Sequence, residues 1–281
     1  MSKASPGTIG FAGDGWGAVA ALRSLQARFP AIEVVTRDPD VVALLRTTDI
    51  ARGAIEAITA SVIVCAGYQP IIPAALVEAR TMINVHYSLL PRYRGMHSTV
   101  WAILNGEREL GLSIHLMNQD IDDGPLLAQC VVPYEDQTST EIMERCNALV
   151  EQTLGDVVAE FLAGTRRAQP QDRAQATWVP RRNRDDCALD FSLSVAELHR
   201  VFRALVRPYP LPHLTSRGVR YEVADATLVA RDYRCTTGRV VNIDAEGVWV
   251  KVADGLLVVR TLERDGERID ARTVLKRGER L

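Results

Sequence analysis

No apolar run in the 281-residue chain approaches the ~20 residues a membrane span requires, and the first residues lack the charged-then-apolar pattern of a secretory signal. Both absences point to a cytoplasmic protein with no membrane partner. The five cysteines, Cys65, Cys130, Cys146, Cys187 and Cys235, are odd in number and scattered, and no Cys-x-x-Cys pair marks a metal or redox centre. They read as reduced packing residues, and no metal is expected. Net charge is −2, so there is no general attraction to phosphate backbones. With only short arginine clusters present, a nucleic-acid partner is not expected. Gly13, Gly15 and Gly17 lack the Gly-x-Gly-x-x-Gly spacing of a dinucleotide cradle, which favours a plain strand-to-helix turn there.

What is present describes a globular protein of one large or two ordinary domains: 47% of residues are hydrophobic and 24% charged. Short apolar runs at Thr8 to Ala12, Ile32 to Thr36 and Ser61 to Ala66 alternate with helical patterns at Ala18 to Phe29, Pro39 to Arg46 and Gly53 to Ile58. Strands are expected at Thr81 to Tyr87, Leu112 to Met117 and Leu126 to Val132, a helix around Trp101 to Leu104, and a long helix over Thr138 to Leu162. Ala163 to Gln175 is polar, contains Gly164 and Pro170, and reads as a linker. Beyond it lie a helical stretch, Val195 to Val206, and short alternating strands with turns at Asp244 to Gly247 and Asp254-Gly255. The pattern predicts an α/β fold with a mostly parallel, doubly wound sheet over residues 1–180, then a small β domain over 181–281.

The chemistry concentrates in NVHYSLLPRYRG, Asn84 to Gly95. In a strand, residues two apart share a face, so Asn84 and His86 would point the same way near a strand's carboxyl end, where open α/β sheets bind ligands. A carboxamide can donate to a developing negative charge and an imidazole can move protons near neutral pH. Asp122, in the turn before Leu126, could orient that imidazole or could simply form the turn.

The run Asn-x-His-x-Ser-Leu-Leu-Pro-x-Tyr-Arg-Gly, followed by Trp101, Asn105-Gly106-Glu107, Gly111-Leu112-Ser113-Ile114-His115 and Asp122-Asp123-Gly124, resembles the folate-dependent formyltransferase family. The resemblance implies a Rossmann-like catalytic domain at 1–180 and an OB-like β-barrel at 181–281. It also implies transfer of a formyl group from 10-formyltetrahydrofolate to an amine, with Asn84, His86 and Asp122 as the catalytic set and Asp122 favouring a protonated His86. The cosubstrate's pterin would lie against Gly67, Tyr68, Gln69, Pro70, Ile71 and Ile72, with Asn118 and Asp120 on the facing segment.

Relatives that formylate methionyl-tRNA carry a longer basic insertion between the second and third strands, whereas Thr36 to Ser61 here is short. A nucleotide-linked amino sugar is therefore the first choice of acceptor. Methionyl-tRNA, or another small amine such as hydroxyornithine, is the alternative. Tyr93, Arg94, His97 and Trp101 are candidate acceptor contacts, because a basic group and aromatic planes suit a nucleotide diphosphate; Arg94 could equally form an internal ion pair. Homodimer formation stays open. A nucleotide-binding oxidoreductase or epimerase, and a non-catalytic binding module, are the readings from other classes.

Overall fold

The computed structural model describes residues 7–281. The chain divides into two compact units: residues up to Thr99 with Arg108–Glu135 and Glu141–Pro180, and Val100–Glu107 with Asp136–Thr140 and Arg181–Leu281. In order, the elements reaching the first unit are β1 (Ile9–Gly13), α1 (Trp16–Gln26), β2 (Ile32–Val35), α2 (Pro39–Val42), β3 (Ile50–Ala51), β4 (Val62–Ala66), α3 (Ala74–Ala79), β5 (Thr81–His86), β6 (Arg94–Gly95), α4 (Ser98–Leu104), β7 (Glu109–Leu116), β8 (Leu126–Pro133), α5 (Ser139–Leu162) and β9 (Trp178–Val179).

The sheet runs β3-β2-β1-β4-β5-β7-β8. β1 to β5 are parallel, and β7 turns antiparallel against β5, with His86 opposite Ser113 and Asn84 opposite His115. Every residue of β1, β2 and β4 is buried, as expected of parallel strands covered on both faces. One buried cluster gathers Ile55, Ile58, Ile63, Cys65 and Met82, with Tyr68, Ile72 and Met117 packed against it.

Two expected helices are shorter than their patterns. The one predicted over Pro39 to Arg46 stops at Val42. Arg46 is drawn instead onto Asp49 and onto the carbonyls of Gln26 and Phe29, satisfying the end of α1. The one predicted over Gly53 to Ile58 is a single 3₁₀ turn at Ile55–Ala57. Buried Glu33 collects the N–H groups of Thr59 and Ala60 and the Thr59 hydroxyl, which holds the following chain extended.

The glycine turn after β1 is filled by carboxylates of the chain itself. Asp38 accepts from Gly15 N at 2.7 Å, and Asp14 accepts from the Thr36 hydroxyl and Arg37 N. The N–H of Gly15, at the start of α1, is thus already spent on a negative side chain, and the turn is no cradle for a phosphate.

The second unit carries α6 (Val195–Ala204), then β10 (His213–Ser216), β11 (Val219–Val229), β12 (Val240–Asp244), β13 (Gly247–Lys251), β14 (Leu256–Arg264), β15 (Glu267–Asp270) and α7 (Ala271–Val274). Its sheet is antiparallel and has six strands, ordered β10-β11-β14-β13-β12 with β15 on β14. Leu198, Leu214, Val248, Val250, Leu257 and Leu262 form its buried centre. α6 starts on a full capping box between Ser194 and Glu197.

Candidate active site

β5 delivers Asn84 and His86 toward its carboxyl end, as its alternation dictates. The loop after β7 folds back so that Asp122, at φ 52°, enters between two imidazoles. Its Oδ2 lies 3.5 Å from His86 Nδ1, and its Oδ1 lies 3.5 Å from His115 Nε2. Gly95 N donates to Asp122 Oδ2 at 2.8 Å. Gly124 lets the loop close this tightly, since a Cβ there would stand 1.7 Å from the Leu116 carbonyl oxygen.

The tautomers follow from the fixed acceptors. His115 Nδ1–H donates to Leu116 O at 2.8 Å, and its Nε2, when unprotonated, accepts from Asn84 Nδ2 at 3.3 Å. One of the two Asn84 N–H groups is thereby used and one is left. His86 Nε2–H donates to Tyr93 O at 2.9 Å. His115 is a member of the site that sequence reasoning quoted within a motif but gave no role; its register opposite Asn84 across β5 and β7 is the signal that places it.

Burial pulls the pKa of His86 below the ordinary imidazole value; the Asp122 charge and the Tyr93 carbonyl oppose this without overcoming it. Asp122 does favour the protonated ring, as expected, but burial outweighs it, and His86 is neutral near pH 7. Burial would raise the Asp122 pKa, but His115, the His86 charge and the Gly95 N–H outweigh it and hold the group at about 2. Because its folded pKa lies below the unfolded 3.8, Asp122 stabilises the fold by ~2 kcal/mol at pH above 4. This contribution disappears as pH falls from 3.8 toward 2. Acid denaturation midpoints should show it: Asp122→Asn flattens the pH dependence of stability over that interval, and an unchanged slope would remove the assignment.

Arg94 is not open to an acceptor. Its guanidinium is buried against Asp123 at 2.7 Å, donates to Gln171 Oε1 at 2.7 Å, and lies 5.7 Å from the centre of the Trp178 ring. The internal ion pair, one of the two alternatives for this residue, is what the structure shows. Tyr93 and His97 both adopt φ 59° in the turn after β5. Trp101 belongs to the other unit, where Arg182 stacks on its ring at 4.5 Å. Sequence reasoning missed Gln171 and Arg173, which sit in the stretch expected to be a linker and bond Asp122, Gly124 and Asp123.

The loop after β4 exposes its apolar tip. Ile71 is 96% exposed, and Ile121 on the loop after β7 is 72% exposed. Tyr68, Ile72 and Met117 pack on one cluster, and Gln119 reaches Glu78 of α3, so the two loops flank the same helix. Bare aliphatic side chains beside backbone-rich turns suit a flat apolar ring. Ile71→Trp should raise the KM for a folate while leaving stability and the amine KM nearly unchanged, as Michaelis kinetics with each substrate varied in turn will show. Among the described residues, no group of three or more His, Cys, Asp or Glu is placed to hold a metal ion, and no helix is long and apolar enough to cross a membrane.

Comparison with known proteins decides the family. The model of the formyl transferase domain matches residues 21–158, and that of the formyl transferase C-terminal domain matches 182–278. Methionyl-tRNA formyltransferase of Coxiella burnetii is 31% identical over 217 residues, 76% of this chain and 68% of that protein. The chain belongs to the folate-dependent formyltransferase family. The Synechococcus methionyl-tRNA formyltransferase is likewise 31% identical, over 87% of this chain and 75% of its own length. Among solved structures, an N-formyltransferase from Helicobacter canadensis in complex with folinic acid and dTDP-3-aminofucose superposes with TM-score 0.68 at 18% identity, covering 89% of this chain and 97% of that one. HypX from Aquifex aeolicus with tetrahydrofolic acid gives TM-score 0.68 at 17% identity over 94% of this chain, which spans 46% of HypX.

Proposed function

We propose that this enzyme moves a formyl group from 10-formyltetrahydrofolate to the primary amine of a small acceptor, a nucleotide-linked amino sugar. The observation that carries the transfer step is the Asn84, His86, Asp122 and His115 constellation. The cosubstrate supplies the formyl group, held by the Gly67 to Ile72 loop and by Asn118 and Asp120.

Asn84 donates its remaining N–H to the oxyanion that develops when the amine attacks the formyl carbon. Asp122 and neutral His86 take the proton the amine loses and return it to the nitrogen that departs. As His86 becomes an imidazolium, both ring N–H groups meet acceptors, Asp122 at Nδ1 and Tyr93 O at Nε2. The site is thus complementary to the charged, later state rather than to the resting one. In this reading residues 1–180 are the catalytic domain, and residues 181–281, with their antiparallel sheet, are an OB-like domain.

The acceptor choice rests on the connection between β2 and β4, which holds only α2, β3 and a 3₁₀ turn, with no added basic element to grip an RNA stem. With Arg94 turned inward, Tyr93 and His97 remain as acceptor contacts in the catalytic unit. The curated relatives at 31% identity favour methionyl-tRNA as the second reading. Purified protein with 10-formyltetrahydrofolate should add one formyl group, read by mass, to a member of a panel of nucleotide-linked amino sugars and leave initiator methionyl-tRNA unmodified. Formylation of the tRNA alone would overturn the acceptor choice, and transfer to no amine would overturn the reaction.

A further inference from the structure

The two acceptors that face His86 both sit in loops under backbone strain. Tyr93 has φ 59° and Asp122 has φ 52°, a region non-glycine residues occupy only where surroundings impose it. The segment 169–179 bonds to both loops.

Gln169 and Leu126 exchange N–H···O bonds of 2.8 and 2.7 Å and anchor one end. The other end pairs in parallel with β6, Trp178 beside Arg94 and Val179 beside Gly95. Val179 O stands 2.3 Å from where a Gly95 Cβ would be, so only glycine admits this approach. Between these anchors, Gln171 Nε2 donates to Asp122 O and Gly124 O, both at 2.7 Å, and its Oε1 accepts from the Arg94 guanidinium at 2.7 Å. One side-chain amide, with all its main capacity used, therefore ties the Asp122 loop to the Arg94 turn. Thr177 acts on the opposite partner. Its Oγ1 accepts from Tyr93 N at 2.8 Å and its carbonyl from Arg94 N at 2.9 Å. The Arg94 N–H belongs to the same peptide group whose carbonyl accepts from His86 Nε2.

We propose that Gln171 and Thr177 are positioning residues for formyl transfer: Gln171 sets Asp122 against His86 Nδ1, and Thr177 sets the Tyr93 carbonyl against His86 Nε2. The proposal rests on the reading of His86 and Asp122 as the proton-handling pair. Neither residue touches the reacting atoms. They act by keeping two loop acceptors in the geometry an imidazolium requires, and small displacements there are costly in rate.

Removing either contact leaves the Gln169–Leu126 bonds and the Arg94–Asp123 pair intact, so the fold survives. Gln171→Ala and Thr177→Val should each lower kcat by about 10- to 100-fold, the range seen for supporting-shell losses. Both KM values should change little, and Thr177→Ser, which keeps the acceptor oxygen, should restore turnover. The His86 ring, read by NMR titration in the free protein with Asp122 and His115 as the ionisable groups facing it, should titrate at a shifted pH in Gln171→Ala and Thr177→Val and at the native pH in Thr177→Ser.

Native turnover together with an unchanged His86 titration in both variants would overturn the proposal. If Asp122→Ala were inactive beside such fully active variants, only the positioning role would fall. Full activity of Asp122→Ala would overturn the catalytic reading itself.

Discussion

Asp122→Ala is expected to lower turnover by about 100-fold or more, and Asn84→Ala and His86→Ala to do the same, because in the proposed reaction the three groups serve one transition state. The carboxylate is the sharpest case. It is the anion facing His86 Nδ1, and without it the buried imidazole has nothing to balance the positive charge it gains in the reaction. The Asp122→Ala, His86→Ala double variant should be little slower than either single one, since a relay broken once cannot be broken again. Steady-state kinetics of the three single variants and this double variant check it. Independent, additive losses would mean that the groups act separately, and native turnover in Asp122→Ala would end the assignment.

Asp123→Ala is expected to be the most destabilising single change near the site. The Asp123 carboxylate is buried between Arg94 at 2.7 Å and Arg173, with its side chain only 3% exposed, and the Arg94 side chain is 4% exposed. Losing the carboxylate strands a buried guanidinium, a change that typically costs ~3–5 kcal/mol. In thermal unfolding that is a fall of ~10 °C in Tm. Arg94→Ala should destabilise by a comparable amount and depress kcat through the Gly95 N–H that anchors Asp122, rather than raise the amine KM alone. A stable Arg94→Ala enzyme with only a raised amine KM would show that the side chain leaves its ion pair to meet the acceptor.

The strand that carries Asn84 and His86 was legible because its information is local. Alternation along Thr81 to His86 fixes which side chains share a face, and the Ser-Leu-Leu-Pro stretch marks where the strand ends. Asp122 was legible only through the family pattern, because its position depends on a reversal after β7 and on a positive φ that a glycine would adopt more readily. His115 needed the antiparallel register of β5 and β7, a pairing between positions 31 apart that no periodicity reveals.

The polar stretch from Ala163 to Gln175 misled for a physical reason. Proline, glycine and charge normally mark solvated connections, but here Gln171 and Arg173 spend their polarity on backbone carbonyls and on a buried carboxylate. The truncated helices at Pro39 to Val42 and Ile55 to Ala57 share a cause. Arg46, which a helix pattern treats as surface, and Glu33, buried on β2, take tertiary partners that hold the neighbouring chain out of helix.

The central claim is that His86 is neutral at rest and becomes charged as the formyl group moves, and the pH dependence of kcat/KM tests it most directly. With its pKa lowered by burial, His86 should produce an acid limb below about 6.5, the ordinary imidazole value, and formyl transfer should stay level from there through neutrality. Activity that instead fell as pH rose through 6 and 7, requiring an imidazolium in the free enzyme, would contradict it.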